Sequence, residues 1–285
     1  GWSMTSRQNR QTGAPRRAGR GKIAAAFVAL SAAGALGTGE AAAGPFCTEG
    51  WAALEVGAGS ATGDLGVSGN YGPPASGGDS FTQAIVGIDA GVRVDRLGEG
   101  MGGMTNVAPP PQEVTDQALR EIRKTPCKGP VIGVRGRLPV DGEGTTRQAI
   151  HPFPSALTSI GYEAQWMLTL YLGYMLMLQT EFANNPLAFT PWAGVTVQRG
   201  ELSMTTDELG TVSHFSEDVT RVGPSVGLNV DVPLDGHDDM FFGVGIQGDF
   251  LPEASAMGTS PSFSYRFSRD ESFEFSGFAR LGVRW

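Results

Sequence analysis

The sequence predicts an all-β fold, in which about eight antiparallel strands form a transmembrane β-barrel. From Trp51 onward, apolar residues alternate with polar residues or glycine, and stretches rich in Gly, Pro, Asp and Ser separate the alternating segments. Most of these segments have at least the roughly 9–11 residues that a tilted strand needs to cross a bilayer. The last one, 273–285, is apolar on one face and ends on Trp285. This pattern is typical of a strand with lipid on one side and a polar lumen on the other.

Eight segments of the sequence fit this pattern. In chain order they are 52–58, 81–94, 131–138, 161–182, 189–199, 219–232, 240–250 and 273–285. A transmembrane helix is the alternative for residues 166–178, but such a helix needs roughly 20 apolar residues, more than this segment provides. Residues 112–125 follow three prolines and place their apolar residues on one stripe, which predicts a short helix between two strands.

The first 43 residues have the layout of a secretory signal peptide. A basic segment that ends at Lys22 precedes the uncharged apolar residues 23–37, and alanines at 41–43 offer a cleavage site before Gly44. The alternative is an N-terminal transmembrane anchor, for which the apolar run is shorter than the roughly 20 residues required. We therefore predict a signal peptide at 1–43 and a single barrel domain at 44–285.

The charge of the remaining chain excludes one class of function. Six of the 21 basic residues and one of the 29 acidic residues lie in 1–43, so residues 44–285 carry 15 basic and 28 acidic residues and a net charge of −13. Nucleic-acid binding needs a basic surface, so this class is set aside. The three histidines, His151, His214 and His237, lack ligand spacing, and we predict no metal site and no cofactor.

The signal peptide, the alternating strands and the C-terminal strand together resemble small Gram-negative outer-membrane β-barrel proteins of the OmpA/OmpX type. The resemblance covers about residues 50–285 and implies location in the outer membrane, in contact with outer-membrane lipid. It also implies that the barrel-assembly machinery reads the terminal strand, where Ala279, Leu281, Val283 and Trp285 form the signal. The oligomeric state is left open.

The resemblance also predicts which side of the membrane each connection occupies. Both termini of such barrels lie in the periplasm, so the segments 59–80, 141–158, 200–217 and 251–272 become extracellular loops, through which an extracellular ligand can bind. The long connection 95–129 is then periplasmic. Cys47 and Cys127 therefore lie on the same, oxidising side, and we predict a disulfide between them. Two free cysteines are the alternative.

An eight-stranded barrel has a lumen that side chains can fill, and many of the inward positions are charged. The predicted lumenal acids are Glu55, Asp89, Glu163, Glu181, Asp231, Asp249 and Glu274. The predicted lumenal bases are Arg93, Arg135, Arg137, Arg221, Arg280 and Arg284. Unpaired charge in a narrow lumen is costly, so we predict a plug of ion pairs. A narrow ion or solute pore is the alternative.

The sequence favours a structural or surface-interaction role over catalysis. One enzymatic alternative arises from His214-Phe215-Ser216, since a lipid A deacylase requires a His-x-Ser pair, but the asparagines that follow the serine in that family are absent here. A soluble lipocalin-like barrel is a further alternative, and it requires apolar residues inside and polar residues outside. We predict that the protein is not an enzyme.

Overall fold

A computed structural model describes residues 46–69, 72–96, 129–140, 148–153, 156–178, 187–208, 211–234, 237–259 and 264–285. These residues form eleven strands, which are β1 (Phe46–Gly69), β2 (Gly72–Arg96), β3 (Gly129–Pro139), β4 (Gln148–Phe153), β5 (Ala156–Leu178), β6 (Leu187–Glu208), β7 (Thr211–Leu234), β8 (His237–Leu251), β9 (Ala254–Thr259), β10 (Ser264–Arg269) and β11 (Ser272–Arg284). Within these ranges, no helix has the length and apolar character needed to cross a membrane. The predicted signal peptide and the predicted helix at 112–125 lie outside the described residues.

Eight of the strands close into a ring. Each strand pairs antiparallel with its neighbours in the order β1-β2-β3-β5-β6-β7-β8-β11, and β11 returns to pair with β1. The predicted eight-stranded antiparallel barrel is therefore confirmed. The long segment 161–182, for which a helix was the alternative, belongs largely to strand β5.

The ladder between β1 and β11, which closes the ring, extends to the last residue, Trp285. Gly50 and Trp285 exchange both backbone hydrogen bonds, at N···O distances of 3.0 and 3.1 Å. The indole of Trp285 lies over Gly50, where a Cβ atom would come within 2.6 Å of the ring. A glycine at this position lets the final ring pack against the first strand and complete the ladder.

An apolar band surrounds one end of the barrel. Outward-facing side chains of the ring are large, apolar and exposed, for example Leu170, Leu172, Tyr174, Leu176 and Leu178 on β5 and Phe242, Val244, Ile246 and Phe250 on β8. The inward positions of the same strands are mixed: Thr169, Gln247 and Asp249 are polar or charged, whereas Met167, Met175 and Phe241 are apolar. The apolar band thus has the facing of an outer-membrane barrel, and it is opposite to the facing that the lipocalin-like alternative requires. Ala279, Leu281, Val283 and Trp285 all lie on this outer face; their role in assembly stays a prediction.

Beyond the apolar band, the polarity of the two faces reverses, so that the apolar side chains lie inside and the polar ones outside. Along β1, Leu54 and Val56 point outward and are exposed, whereas Leu65 and Val67 are buried inside. The strands are long enough for both zones: β6 has 22 residues, about twice the number that crosses a bilayer. We call the part beyond the band the head, and the opposite end, which holds Gly50 and Trp285, the terminal end.

The head consists of two four-stranded sheets with an apolar core between them. One sheet has the order β9-β10-β1-β2, and the other β4-β5-β6-β7. The head core draws residues from both sheets; its buried members are Leu65, Val67, Ile160, Tyr162, Ala164, Leu202, Met204, Val219, Ala254, Ala256, Tyr265 and Phe267. Among the described residues, no backbone ladder joins β7 to β9 or β2 to β4. Within the described residues, the two sheets therefore meet along two seams that lack a backbone ladder.

The head replaces most of what the sequence predicts as extracellular loops. The described residues within 59–80, 200–217 and 251–272 are mainly strand. Gly, Ser and Thr are frequent in these segments, and they carry the composition of turns even where the backbone is extended. Their alternation is present, but it places small and polar residues on the outer face.

A β-bulge on β5 corrects the predicted face of one lumenal residue. The register between β5 and β6 shifts between Ala164 and Trp166. Even-numbered residues of β5 point inward before the bulge, as Tyr162 does, and odd-numbered residues point inward after it, as Met167 does. Because a bulge adds one residue to the strand, the alternation changes phase there. Glu163 consequently lies half-buried on the outer face, and its predicted place in the lumen is wrong.

The head core predicts a local loss of stability when it is truncated. Phe267 is fully buried in the core, so Phe267→Ala removes about 3–5 kcal/mol of stability from the head. We expect faster trypsin cleavage after Arg266 and Arg269, while the barrel keeps its folded migration on a gel. Met257→Ala is the control, because Met257 is 78% exposed on the neighbouring strand. Equal cleavage rates for the two variants would contradict the presence of a packed head core.

Candidate functional site: the charged lumen

The lumen contains a set of buried, oppositely charged side chains. Its acids are Glu49, Glu55, Asp89, Asp231, Asp249 and Glu274, and its bases are Arg93, Arg135, Arg137, Arg221, Arg269, Arg280 and Arg284. The structure places eleven of the thirteen predicted residues here; Glu163 lies outside, and Glu181 is not among the described residues. The sequence reasoning missed Glu49 and Arg269. Glu49 is in phase with the inward residues Trp51 and Ala53, so a longer first strand would have found it.

Arg135 occupies the centre of the network. Its Nε atom lies 3.1 Å from Glu55, and its Nη2 atom lies 3.6 Å from Asp89. The guanidinium also donates hydrogen bonds to Gln247 at 3.0 Å and to Asn229 at 2.9 Å. Three aromatic rings surround it, with centroids at 4.4, 5.0 and 5.5 Å from Cζ: those of Phe278, Trp192 and Tyr171. The delocalised charge of Arg suits this mixture of carboxylates and ring faces.

Phe278 is the one large apolar residue on the otherwise polar face of the terminal strand. It points into the lumen and is buried there. Its ring fills the space above Gly245 on β8, where a Cβ atom would lie 2.1 Å from the ring. The apolar residue on the polar face therefore supports Arg135 and does not mark a break in the strand.

Asp89 connects Arg135 to a second guanidinium, that of Arg280. Arg280 forms a short ion pair with Asp89 and lies 3.5 Å from Asp231. Asp89 also accepts hydrogen bonds from the Tyr171 hydroxyl at 2.7 Å and from the Trp51 indole at 3.3 Å. A buried carboxylate is stable only when its oxygens are satisfied, and these donors serve both oxygens of Asp89.

A second layer lies between Arg135 and the head. Arg137 pairs with Asp249 at 3.0 Å, and it donates to the Ser276 hydroxyl at 2.5 Å. Asp249 also accepts hydrogen bonds from Thr196 at 2.6 Å and from Gln247 at 2.7 Å. Polar groups from four different strands are thus paired at one level of the barrel.

Arg221 joins the barrel to the head. The chain leaves the ring at residues 252–253 and again at 270–271, and the carbonyl groups at these breaks lack a ladder partner. Arg221 donates to the carbonyl oxygens of Pro252, Leu251 and Asp270, at 2.8, 3.0 and 3.3 Å. This predicted lumenal charge therefore holds the point at which two strands of the ring are interrupted.

The lumen is filled along its length. At the terminal end, Glu49 pairs with Arg93 at 3.4 Å and with Arg284 at 3.5 Å. Trp192 packs into the space above Gly227, where a Cβ atom would lie 2.2 Å from the indole. Two cavities between the described residues of the ring measure about 10 Å³ each, room for no more than a single water molecule. Buried side chains thus occupy most of the described lumen.

The residues of the enzymatic alternative lie on the outer surface of the head. His214 and Ser216 are exposed on β7, which is a strand here and not the loop that the sequence suggested. A ring nitrogen of His214, Nδ1, is 2.9 Å from the Thr205 hydroxyl. Asp218, two residues after Ser216, accepts a hydrogen bond from Arg199 at 2.6 Å. This hydrogen bond is the main cause that lowers the pKa of the Asp218 carboxyl group. The acid is thus paired with an arginine and does not orient the imidazole.

An open acidic cleft lies where the head meets the apolar band. It has a volume of about 930 Å³ and is lined by Thr62, Gly63, Asp64, Gly78, Glu253, Asp270, Glu271 and Phe273. Partial burial raises the pKa of Asp270, and repulsion from the nearby carboxylates Glu253, Asp64 and Glu271 raises it further. The cleft therefore concentrates negative charge on the solvent side of the head.

Two of the predicted features are not resolved by these contacts. The side chain of Cys47 and the whole of Cys127 lie outside what the structure describes, so the disulfide stays a prediction. Among the described residues, no group of three or more His, Cys, Asp or Glu side chains has the arrangement of a metal site.

Comparisons with known proteins give structural likenesses alone. No protein-family model matches the chain, and no curated protein matches its sequence. Ail of Yersinia pestis, in complex with the heparin analogue sucrose octasulfate, is 8% identical; the likeness covers 83% of this chain and 99% of Ail, with a TM-score of 0.34. Neisserial surface protein A is 12% identical, with 81% and 96% covered and a TM-score of 0.29. The P. putida toluene transporter TodX is 7% identical, with 82% and 90% covered and a TM-score of 0.20.

The central position of Arg135 predicts a large effect of its removal. Arg135→Met removes the nearer guanidinium from the buried carboxylate of Glu55 and one of the two arginine partners of Asp89, which costs about 3–5 kcal/mol. We expect a lower midpoint of heat-induced unfolding in detergent, measured by gel migration. Arg266→Met is the control: its pair with Glu253 is exposed, and such pairs contribute about 0–1 kcal/mol. A midpoint that shifts no more for Arg135→Met than for the control would contradict the central place of Arg135 in the charged network.

Proposed function

We propose that this is an outer-membrane protein with a structural and surface-interaction role, in which a closed barrel holds the head at the cell surface. The observation that carries this proposal is that the apolar side chains of a single strand lie outside in the barrel and inside in the head. An apolar exterior is stable in lipid, whereas the polar exterior and apolar core of the head are stable in water. In this proposal both termini lie in the periplasm, residues 1–43 are removed on export, and the head faces the outside.

The filled lumen supports an anchoring role over transport. Thirteen charged side chains occupy the interior, and the cavities between them are the size of one water molecule. Moving an ion through this interior would require breaking several buried pairs, such as that of Arg137 with Asp249, at a cost of several kcal/mol each.

A planar-bilayer recording tests this part of the proposal. We expect the purified protein to insert without producing stable conductance steps, because no water column connects the two ends. The double variant Arg137→Ala/Asp249→Ala is the comparison: it removes two facing side chains from the second layer but leaves the Arg135 layer and the head core closed, so it too should produce no stable steps. Regular steps from the unaltered protein would favour the alternative function, a narrow pore.

The charge of the head indicates the kind of partner that it can bind. Its solvent-facing acids in the described residues are Asp64, Glu163, Glu201, Asp207, Glu217, Asp218, Glu253, Asp270 and Glu271. The solvent-facing bases in the same part of the chain are Arg199 and Arg266, and each already pairs with a carboxylate. Such a surface attracts cationic partners and repels polyanions. We infer that the extracellular partner presents a basic surface, for example a basic protein.

Binding of a basic probe checks this inference. We expect polylysine to bind the protein in nanodiscs, more weakly as salt rises, and heparin not to bind. The variant Asp64→Asn/Glu253→Gln/Asp270→Asn/Glu271→Gln should lose most of the affinity. The variant Arg199→Gln/Arg266→Gln makes the head more acidic and should bind the probe more tightly. Preferential binding of heparin, or equal binding of polylysine by all three proteins, would overturn the inference about the partner.

A further inference from the structure

The two ends of the lumen are closed by different chemistry. Toward the head, the lumen meets the head core, in which Ile160, Leu202, Met204 and Phe267 have no solvent exposure. Toward the terminal end, buried apolar side chains such as Met175 and Phe241 share the closure with charged groups that reach solvent: the side chain of Glu49 is 13% exposed and that of Arg284 is 8% exposed. Water crosses a layer of mobile polar side chains more easily than a packed apolar core. The interior is therefore more accessible from the terminal end.

One cavity lies just behind the polar end. It measures about 10 Å³, and its wall is mixed: the polar residues Arg93, Thr190, Asn229, Asp231, Arg280 and Arg284 share the lining with Trp51, Val131, Tyr171, Met175 and Phe241. Cavities of this size that are lined by polar groups hold single ordered waters in many proteins, whereas apolar ones stay dry.

The walls of this cavity carry buried polar atoms that no side chain satisfies. The hydroxyl of Thr190 makes no hydrogen bond within the described residues, although Thr190 is 4% exposed. The Oδ1 atom of Asp231 also accepts none; its neighbour Arg280 lies at 3.5 Å, beyond good hydrogen-bond length for a charged pair. The Nη2 atom of Arg284 is likewise a buried donor without a hydrogen-bond partner in the described residues. Three residues that line a space the size of one water molecule thus carry two unsatisfied oxygen atoms and one unsatisfied N–H donor.

We propose that this cavity is a binding site for one ordered water molecule, which exchanges with solvent through the terminal end and not through the head. A water molecule can accept from Arg284 and donate to Asp231, and it can bond to Thr190 as donor or acceptor, which satisfies all three groups. The exchange is periplasmic in the orientation proposed above. The inference does not depend on which partner the head binds. It goes beyond the closed lumen because it states from which end water reaches the interior.

Cysteine accessibility to Ag⁺, an ion close to water in size, tests the sidedness. Cys47→Ser/Cys127→Ser provides a thiol-free background, into which Thr190→Cys and Leu202→Cys are introduced separately. The protein is reconstituted in vesicles, and its orientation is read from protease access to the head. The Thr190→Cys variant should react at least about tenfold faster from the terminal side than from the head side, because entry through the head requires local opening of a packed core. Leu202→Cys should react slowly from both sides.

Three outcomes of this experiment would overturn the proposal. Equal rates at position 190 from the two sides would show that solvent has no preferred entrance. Faster reaction from the head side would show that solvent enters through the head. Reaction from neither side, in a variant that keeps its folded gel migration, would show that the site is sealed. None of these outcomes bears on binding of a basic partner by the head.

A crystal structure of the unaltered protein tests the identity of the ligand. We expect one water peak in contact with Thr190 and Asp231, which Thr190→Ser retains and Thr190→Val loses. Crystals soaked in bromide provide the control for an anion, since Arg93, Arg280 and Arg284 all line the cavity. An anomalous bromide peak in the cavity, or a cavity without any density, would overturn the proposal.

Discussion

Charge pairing inside a narrow closed sheet is the constraint on which the rest of this structure depends. Once β11 pairs with β1, the inward side chains share a space that excludes bulk water, and a lone charge there is strongly unfavourable. Arg135 meets this constraint by serving Glu55 and Asp89 at once, with three aromatic rings around its guanidinium. Because the partners come from different strands, the same contacts also hold the ring in one register.

A second consequence of closure is the division of each long strand between two solvents. Inside the apolar band, the polar face must turn inward, and the charged network is what makes that possible. Above the band, water surrounds the protein, so the usual arrangement of a soluble β-protein returns, with Leu65 and Phe267 in its core. Arg221 lies at the boundary, where it satisfies the carbonyl groups that two interrupted strands leave behind.

The sequence predicted the ring well, because period-two alternation is read directly from the residues. Strand number and antiparallel closure are confirmed, and eleven predicted charges lie in the lumen. Glu163 was misplaced because a bulge at Ala164–Trp166 shifts the phase and leaves no signal in composition. The head was missed because its strands are rich in Gly, Ser and Thr, so they read as loops; Arg269 was lost with them. Pairing partners such as Arg280 and Asp89 lie 191 residues apart and depend on strand order, which alternation does not give.

The seams of the head have a mechanical consequence. A sheet resists shear through its ladder of backbone hydrogen bonds; in the described residues β7 and β9 share no ladder, and the ring of Phe215 lies against Gly258. In the surface role proposed above, a force applied to the head would therefore separate the two sheets along these lines before it disturbed the continuous ring below. The head can yield and re-form while the barrel stays embedded, which makes the seams a built-in point of mechanical compliance.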